Sequence, residues 1–226
     1  LLLSQDPETC RKLANTLDQL NRQRRELESS MRYEVEDRLD ENPALLDLGV
    51  VVEAGEDWHQ GVVGITASRV VDRYGVPAFI MGRVGDLCKG SSRAPENVSL
   101  YDAMQLCSDV FVKFGGHARA AGFTVEWNRV DEMRQRLSEA IARVRKGPAP
   151  VTVDLELDLH QANLGLAQQL QMLEPLGEGN RSPVFLARRV RLEQVKAMGE
   201  SQEHLRFRLC QGAIQRKAVA FRLGGD

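Results

Sequence analysis

The chain of 226 residues is long enough for one large domain or two modest ones, each able to bury its own core. Its 42% hydrophobic and 27% charged shares exclude disorder and collagen-like repeats, and a net charge of -2 provides no overall attraction for nucleic acid. No apolar run approaches the roughly 18 residues of a membrane span and no leader-like segment opens the chain, so the expectation is a cytoplasmic protein with no membrane partner.

The first stretch, 7–40, repeats Leu13, Leu17, Leu20, Leu27, Met31, Val35 and Leu39 at spacings of three, four and seven, which predicts one long helix with a single apolar stripe. Asp6 before Pro7 supplies an N-cap and a first-turn proline, and Asn42-Pro43 supplies the stop. Leu1-Leu2-Leu3 reads like a strand belonging to something upstream, which suggests a fragment. GVVVEA at 49–54 and PAFIMG at 77–82 read as strands buried on both faces, separated by a helix over 61–74 with Gly75 as its C-cap. Residues 86–93 predict a third strand running into a polar loop. Ser99 caps a predicted helix to Phe114, closed by Gly115-Gly116; 120–127 is a further strand, and Asn128 caps a helix to Lys146. Together these make a mixed α/β domain.

Gly147-Pro148-Ala149-Pro150 can continue neither helix nor ladder and marks a domain boundary. Beyond it come an alternating stretch at 151–159, a helix around 163–173, and strands near 184–196, 204–210 and 213–223. One helix amid alternating strands predicts a small OB-like Greek-key barrel, expected to be incomplete. Charge is segregated within this region. Residues 181–222 hold ten Lys or Arg against three Glu, whereas 151–180 hold five acids and no Lys or Arg. Such runs are commonly solvated faces, but a basic half can also serve an anionic polymer. In 204–210, Arg206 and Arg208 alternate with Leu205, Phe207 and Leu209, placing two guanidinium groups on one face that could follow a single strand's backbone.

Two short segments carry the chemistry. Lys89-Gly90-Ser91-Ser92-Arg93 combines close backbone approach, two hydroxyls and two cations, the parts a phosphate needs, although an ordinary solvated turn has the same composition. Gly115-Gly116-His117 permits a ligand close to the backbone and sets a histidine that could donate to a phosphate or leaving oxygen; the alternative is a helix C-cap with His117 on the surface. Trp58-His59-Gln60-Gly61 at the start of a helix is a polar cluster that could bind an anion, although a Trp-His pair is more often packing plus a cap. The cysteines (Cys10, Cys88, Cys107, Cys210) and histidines (His59, His117, His160, His204) lack metal-ligand spacing, so no metal ligands are expected. No GxSxG or Walker loop is present.

The order and spacing of WHQGVVGITASR (58–69), GSSR (90–93), FGGHARAAGF (114–123) and LEPLGEGNRSPVF (173–185) resemble the RecJ-type single-strand-specific exonucleases of the DHH phosphoesterase superfamily. Leu176 and Arg181 stand where phenylalanine and proline are more usual in that family. The resemblance implies a connector helix over 1–42, a DHH-associated phosphate-binding domain over 43–147 and an OB-like nucleic-acid-binding domain over 151–226. It implies a single-stranded DNA substrate degraded from 5′ to 3′, with Mn2+ or Mg2+ held by an N-terminal DHH domain of the same protein. Single-strand-binding protein and a helicase are the implied protein partners. Lys89, Ser91, Ser92 and Arg93 would bind the terminal 5′ phosphate, and Gly115, Gly116 and His117 would contact phosphate near the reaction centre, with His117 in a catalytic role. Two other readings stay open: a DHH-type phosphodiesterase for short oligoribonucleotides or cyclic dinucleotides, and a noncatalytic scaffold.

Overall fold

Asp6 accepts from the backbone N–H of Glu8 and Thr9 and starts the first helix, α1 (Pro7–Glu41), with Pro7 in its first turn. In the computed structural model, residues 3–147, 151–177, 179–199, 202, 204–221 and 223–224 are described, and the chain divides into two compact units, 1–149 and 150–226. The expected leucine strand at 1–2 and most of the expected linker, 148–150, lie outside the described residues, as does Glu178 of the fourth motif. The stripe on α1 is used only in its second half. Met31, Val35 and Leu39 are buried, while Leu13, Leu17, Leu20 and Leu27 are exposed within this chain.

After the short helix α2 (Ala44–Asp47) the chain enters a β–α–β unit: β1 (Val51–Gly55), α3 (Val63–Tyr74) and β2 (Ala78–Val84). β1 and β2 are parallel, and the intervening helix makes the crossover that parallel pairing requires. Gly75 ends α3 at φ 66°, a left-handed conformation that favours glycine. β3 (Leu87–Arg93), α4 (Leu100–Leu106), β4 (Phe111–Gly116), β5 (Ala120–Glu126) and α5 (Val130–Val144) complete the unit. The sheet order is β1-β2-β3-β5-β4, antiparallel beyond β2.

Alternation along the strands divides the core between two faces. Val50, Val52, Phe79, Met81, Cys88, Phe123 and Val125 pack against α4 and α5 through Leu100, Met104, Met133, Leu137 and Ile141. Val51, Ala78 and Ile80 pack on the other side against α3 and α1 through Val63, Ala67, Val70, Met31, Val35 and Leu39. The strands at 51–55 and 78–84 are thus buried on both faces, as their unbroken apolar runs imply.

Three expectations for this unit are corrected. The helix expected to reach Phe114 stops at Leu106, and 111–116 is the edge strand β4. Phe111 and Phe114 pack with ring centroids 5.3 Å apart, and Phe111 meets Phe123 at 5.9 Å, so aromatic packing on the sheet outweighs helical continuation. Gly115-Gly116 therefore ends a strand rather than capping a helix. The strand expected over 86–93 is present as β3, but its GSSR end does not open into a polar loop: it is paired on both sides by β2 and β5. Finally, the helix expected from Asn128 begins at Val130, with Arg129 at its N-cap and no side-chain cap bond.

In the second unit the alternating stretch at 151–159 pairs only through β6 (Leu155–Glu156), which runs parallel to β7 (Phe185–Leu186). Asn163 caps α6 (Leu164–Gln171) by accepting from Leu166 N–H. The main sheet is an antiparallel meander of β8 (Arg191–Met198), β9 (His204–Gln211) and β10 (Ile214–Ala220), in the order β10-β9-β8.

Candidate functional site

The sheet register defines the site. Ile80 of β2 faces Ser91 of β3, Ser91 faces Gly122 of β5, and Gly122 faces Gly115 of β4. Cross-strand partners share a face, so Ser91, Gly122 and Gly115 form one row on the side of the sheet that carries α3. The next row is Lys89, Thr124 and Lys113, and on the other side Arg93 is level with Ala120. α3 sits over β2 and β3. Gly122 and Gly115 beyond it are exposed, and a Cβ on Gly115 would meet nothing within 4 Å. The face is thus a wall of helix beside a floor of bare backbone, with Lys89 and Lys113 both exposed along it.

Where α3 meets β3 there is a recess of about 460 Å³, lined by Gln60, Gly61, Gly64, Ile65, Ser68 and Arg69 from the helix side and by Ser91 and Arg93 from the strand. Arg93 Nη1 donates to Ser91 Oγ at 3.0 Å and to the Ser92 carbonyl at 2.8 Å, which fixes the guanidinium fork against the strand. Its Nη2 has no hydrogen bond to a described residue. Arg69, the second guanidinium of the recess, has its Nε 3.7 Å from Glu28 Oε1. That oxygen is buried without a hydrogen bond, so the carboxylate neutralises Arg69 only loosely. Two guanidinium groups, a hydroxyl and helix backbone facing one cavity have the donor chemistry that suits a dianion.

The expected site residues divide accordingly. Ser91 and Arg93 share the recess, and Lys89 lies on the same face one row away. Ser92 does not join them. Alternation turns it to the opposite face, where it is fully buried and donates to the Ala121 carbonyl at 3.2 Å, so the expectation that it binds phosphate is corrected. Gly115 is level with Ser91 with β5 between them, two strand spacings or about 10 Å away. Gly116 belongs to the turn: its φ is 153°, and a Cβ there would collide with the Ala120 carbonyl oxygen. His117 closes that turn, its N–H donating to the Ala120 carbonyl at 2.8 Å, and its exposed ring accepts from Arg119 N–H at Nδ1. With Nδ1 accepting, Nε2 is the ring nitrogen left to donate.

Trp58 is a packing residue, and His59 belongs to the turn ahead of α3, whose N-cap Val62 makes no side-chain cap bond. Trp58 is buried against Gly55, its Nε1 donates to Glu34 at 2.8 Å, and His59 Nδ1 accepts from Gly61 N–H. Gln60, which belongs to the polar cluster at 58–61, does line the recess, whereas sequence reasoning assigned no role to Gly64, Arg69, Lys113 or Gly122. A signal for some of them was present: Gly61, Gly64 and Ser68 recur at i, i+3 and i+7, small or polar positions interrupted by Ile65, while the other face of the segment is apolar.

In the second unit the segregated charges meet in space. Arg181 pairs with Asp154 and Arg188 with Glu156, so the acidic first half neutralises part of the basic second half. Four of the other cations share one face of the meander, while Arg216, level with Leu209, lies on the opposite face. Lys196 is level with Arg206, and Lys217 with Arg208, with Glu193 as the acid in those rows. Arg206 is exposed and Arg208 half-buried, donating to Gln215 at 3.2 Å.

Family models match a DHHA1 domain at residues 47–143 and a RecJ OB domain at 153–226. The chain belongs to the RecJ family. It is 32% identical to the single-stranded-DNA-specific exonuclease RecJ of Bacillus subtilis, over 99% of this chain and 29% of that protein. RecJ of Thermus thermophilus, solved with Mg2+ and with Mn2+, superposes with TM-scores of 0.73 and 0.74 at 28% and 29% identity. Those matches cover 99% of this chain and 34% and 32% of the solved ones. The chain therefore spans about a third of the RecJ proteins it matches. A mixed α/β domain with an OB-type companion, the expected fold class, is the architecture these matches share. No described helix is long and apolar enough to cross a membrane. Among the described residues no three His, Cys, Asp or Glu side chains gather to hold a metal ion, so those residues do not fit a catalytic metal.

Proposed function

We propose that this chain is the substrate-binding portion of an exonuclease that degrades single-stranded DNA from 5′ to 3′. The Mg2+ or Mn2+ ions and the hydrolytic step are assigned to an N-terminal DHH domain outside residues 1–226. The observation that carries the reading is the recess in which Arg93, Arg69 and Ser91 converge, opening on a face floored by Gly122 and Gly115. A terminal phosphate in that recess is held by charge-assisted hydrogen bonds, each contributing about 1.5–3 kcal/mol. The glycine floor lets the following nucleotides lie close to backbone N–H groups, Lys89 and Lys113 flank them, and His117, at the turn after the floor, contributes an Nε2 donor to a phosphate oxygen. The role of such a site is to set position and charge, which is most of what phosphoryl transfer requires from a protein.

The basic face of the second unit favours a polymer over a dinucleotide, since Arg206, Arg208, Lys196 and Lys217 spread along the strands of the meander. The test is binding and cleavage by the purified chain with Mn2+ present. A 5′-phosphorylated oligothymidylate should bind more tightly than a thymidine dinucleotide and should not be cut. Nuclease activity that copurifies with the chain would overturn the division of labour, and a preference for the dinucleotide would return the short-substrate phosphodiesterase.

A further inference from the structure

The glycines of the first unit are explained in different ways. Gly75 and Gly85 have φ of 66°, a left-handed conformation. Gly82 and Gly90 allow backbone to approach: a Cβ at Gly82 would collide with the Trp58 carbonyl oxygen, and one at Gly90 would lie 2.7 Å from that of Ile80. Gly64 fits neither group. It sits in the first turn of α3 with no left-handed φ, where alanine is the better helix former. The atoms its missing Cβ would meet are Ser91 Oγ at 3.1 Å, Arg93 Nη2 at 3.3 Å and Ser91 Cβ at 3.4 Å. Two of these three are the tips of the polar groups that line the recess. They can shift by a few tenths of an ångström, so a side chain here is compatible with folding, but it would move the guanidinium fork and the hydroxyl and occupy the space between them.

We propose that Gly64 is a specificity-determining residue: its bare backbone leaves the volume in which the oxygens of a 5′-terminal phosphate reach Ser91 Oγ and Arg93 Nη2 together. The inference rests on the terminal-phosphate reading of the recess and adds to it the residue that decides whether a phosphorylated end fits. A methyl group at this position acts on the end of the strand alone, because Gly122, Gly115, Lys89 and Lys113 lie farther along the face. Stability and recognition should therefore move independently. Gly64→Ala removes the conformational freedom of a helical glycine while spoiling the site, whereas substitution of a packing glycine would lose both.

The experiment compares the wild-type chain, Gly64→Ala and Arg93→Ala by thermal unfolding and by fluorescence anisotropy with oligothymidylate bearing a 5′-phosphate or a 5′-hydroxyl. Gly64→Ala should hold or raise Tm, and its affinity for the phosphorylated strand should fall about tenfold more than its affinity for the hydroxyl strand. Retained phosphate preference, or equal losses on the two strands, overturns the proposal. So does a Tm lowered by more than about 5 °C, because Gly64 would then be a packing residue. If the wild-type chain has no preference for the phosphorylated strand, or Arg93→Ala keeps it, the terminal-phosphate reading itself fails, whatever Gly64→Ala does.

Discussion

The two units are packed differently, and each packing suits a different kind of binding. The first has a sheet buried on both sides, with Phe79, Ile80, Met81, Leu100, Met104 and Leu137 fully enclosed. In the second, the buried apolar residues among those described are Leu157, Leu159 and Cys210, while Phe207 and Leu209 on its inner sheet face are only half-buried. A rigid scaffold can hold a recess to fractions of an ångström, which discrimination of one chemical group requires. A thinly packed meander can still present charge, because electrostatic attraction to a polyanion tolerates loose geometry. Shape is thus concentrated where the core is dense, and charge where it is sparse.

The largest effect should come from the packing itself. Phe79→Ala removes a fully buried ring between the sheet and its helices and is expected to destabilise the first unit by about 3–5 kcal/mol. Phe207→Ala, at a half-buried position, should lose about 1–2 kcal/mol by area. Urea unfolding followed by circular dichroism measures both, and equal losses would break the contrast between the units.

Next in size is recognition in the recess. Arg93→Ala should weaken binding of 5′-phosphorylated oligothymidylate by about 1.5–3 kcal/mol and leave the 5′-hydroxyl strand much less affected. The counterpart in the second unit is Arg206→Gln combined with Arg208→Gln. These changes should weaken phosphorylated and hydroxyl strands alike and flatten the dependence of log K on log salt by about 0.7 for each phosphate that is no longer neutralised. Affinities titrated from low to high salt separate the two behaviours. A phosphate-selective loss in the double variant would place terminal recognition in the wrong unit.

Much of this contrast is legible in the sequence, and the part that is not is instructive. Runs such as Val50-Val51-Val52 and Phe79-Ile80-Met81 announce strands buried on both sides, and the Gly75 C-cap fixes the end of α3. The residues at 111–116 are locally ambiguous, because Phe-Val-Lys-Phe suits either a strand or a helix, and only packing against Phe123 from a strand later in the chain decides. Ser92 misleads for a related reason. Read as a loop, GSSR offers both hydroxyls to a ligand, whereas strand alternation gives one to the recess and one to the core. Arg69 and Gly64 stay hidden because their importance depends on α3 lying over β3, a tertiary fact. In the second unit, alternation at 151–159 overstates the strand, because only Leu155 and Glu156 find a partner in β7.

The smallest expected effect tests the contrast without any ligand. Burial raises the Cys107 thiol to about 11 from an ordinary value of 9.0, with Arg136 pulling the other way. A thiol whose folded pKa is raised stabilises fully below the unfolded value, so this contribution should be lost as pH climbs from about 9 to about 11. Burial also raises the Cys210 thiol of the second unit, and the neighbouring Glu193 adds to it. Both thiols are buried, so modification by a disulfide reagent must proceed through opening of the surrounding structure. If the second unit is the more loosely packed, Cys210 should be modified at least about tenfold faster than Cys107, a gap of about 1.4 kcal/mol in opening free energy. Peptide mapping after timed quenching resolves the two sites. Modification at equal rates would mean that the units open together, and the sparse core of the meander would then be supported as firmly as the sheet that holds the recess.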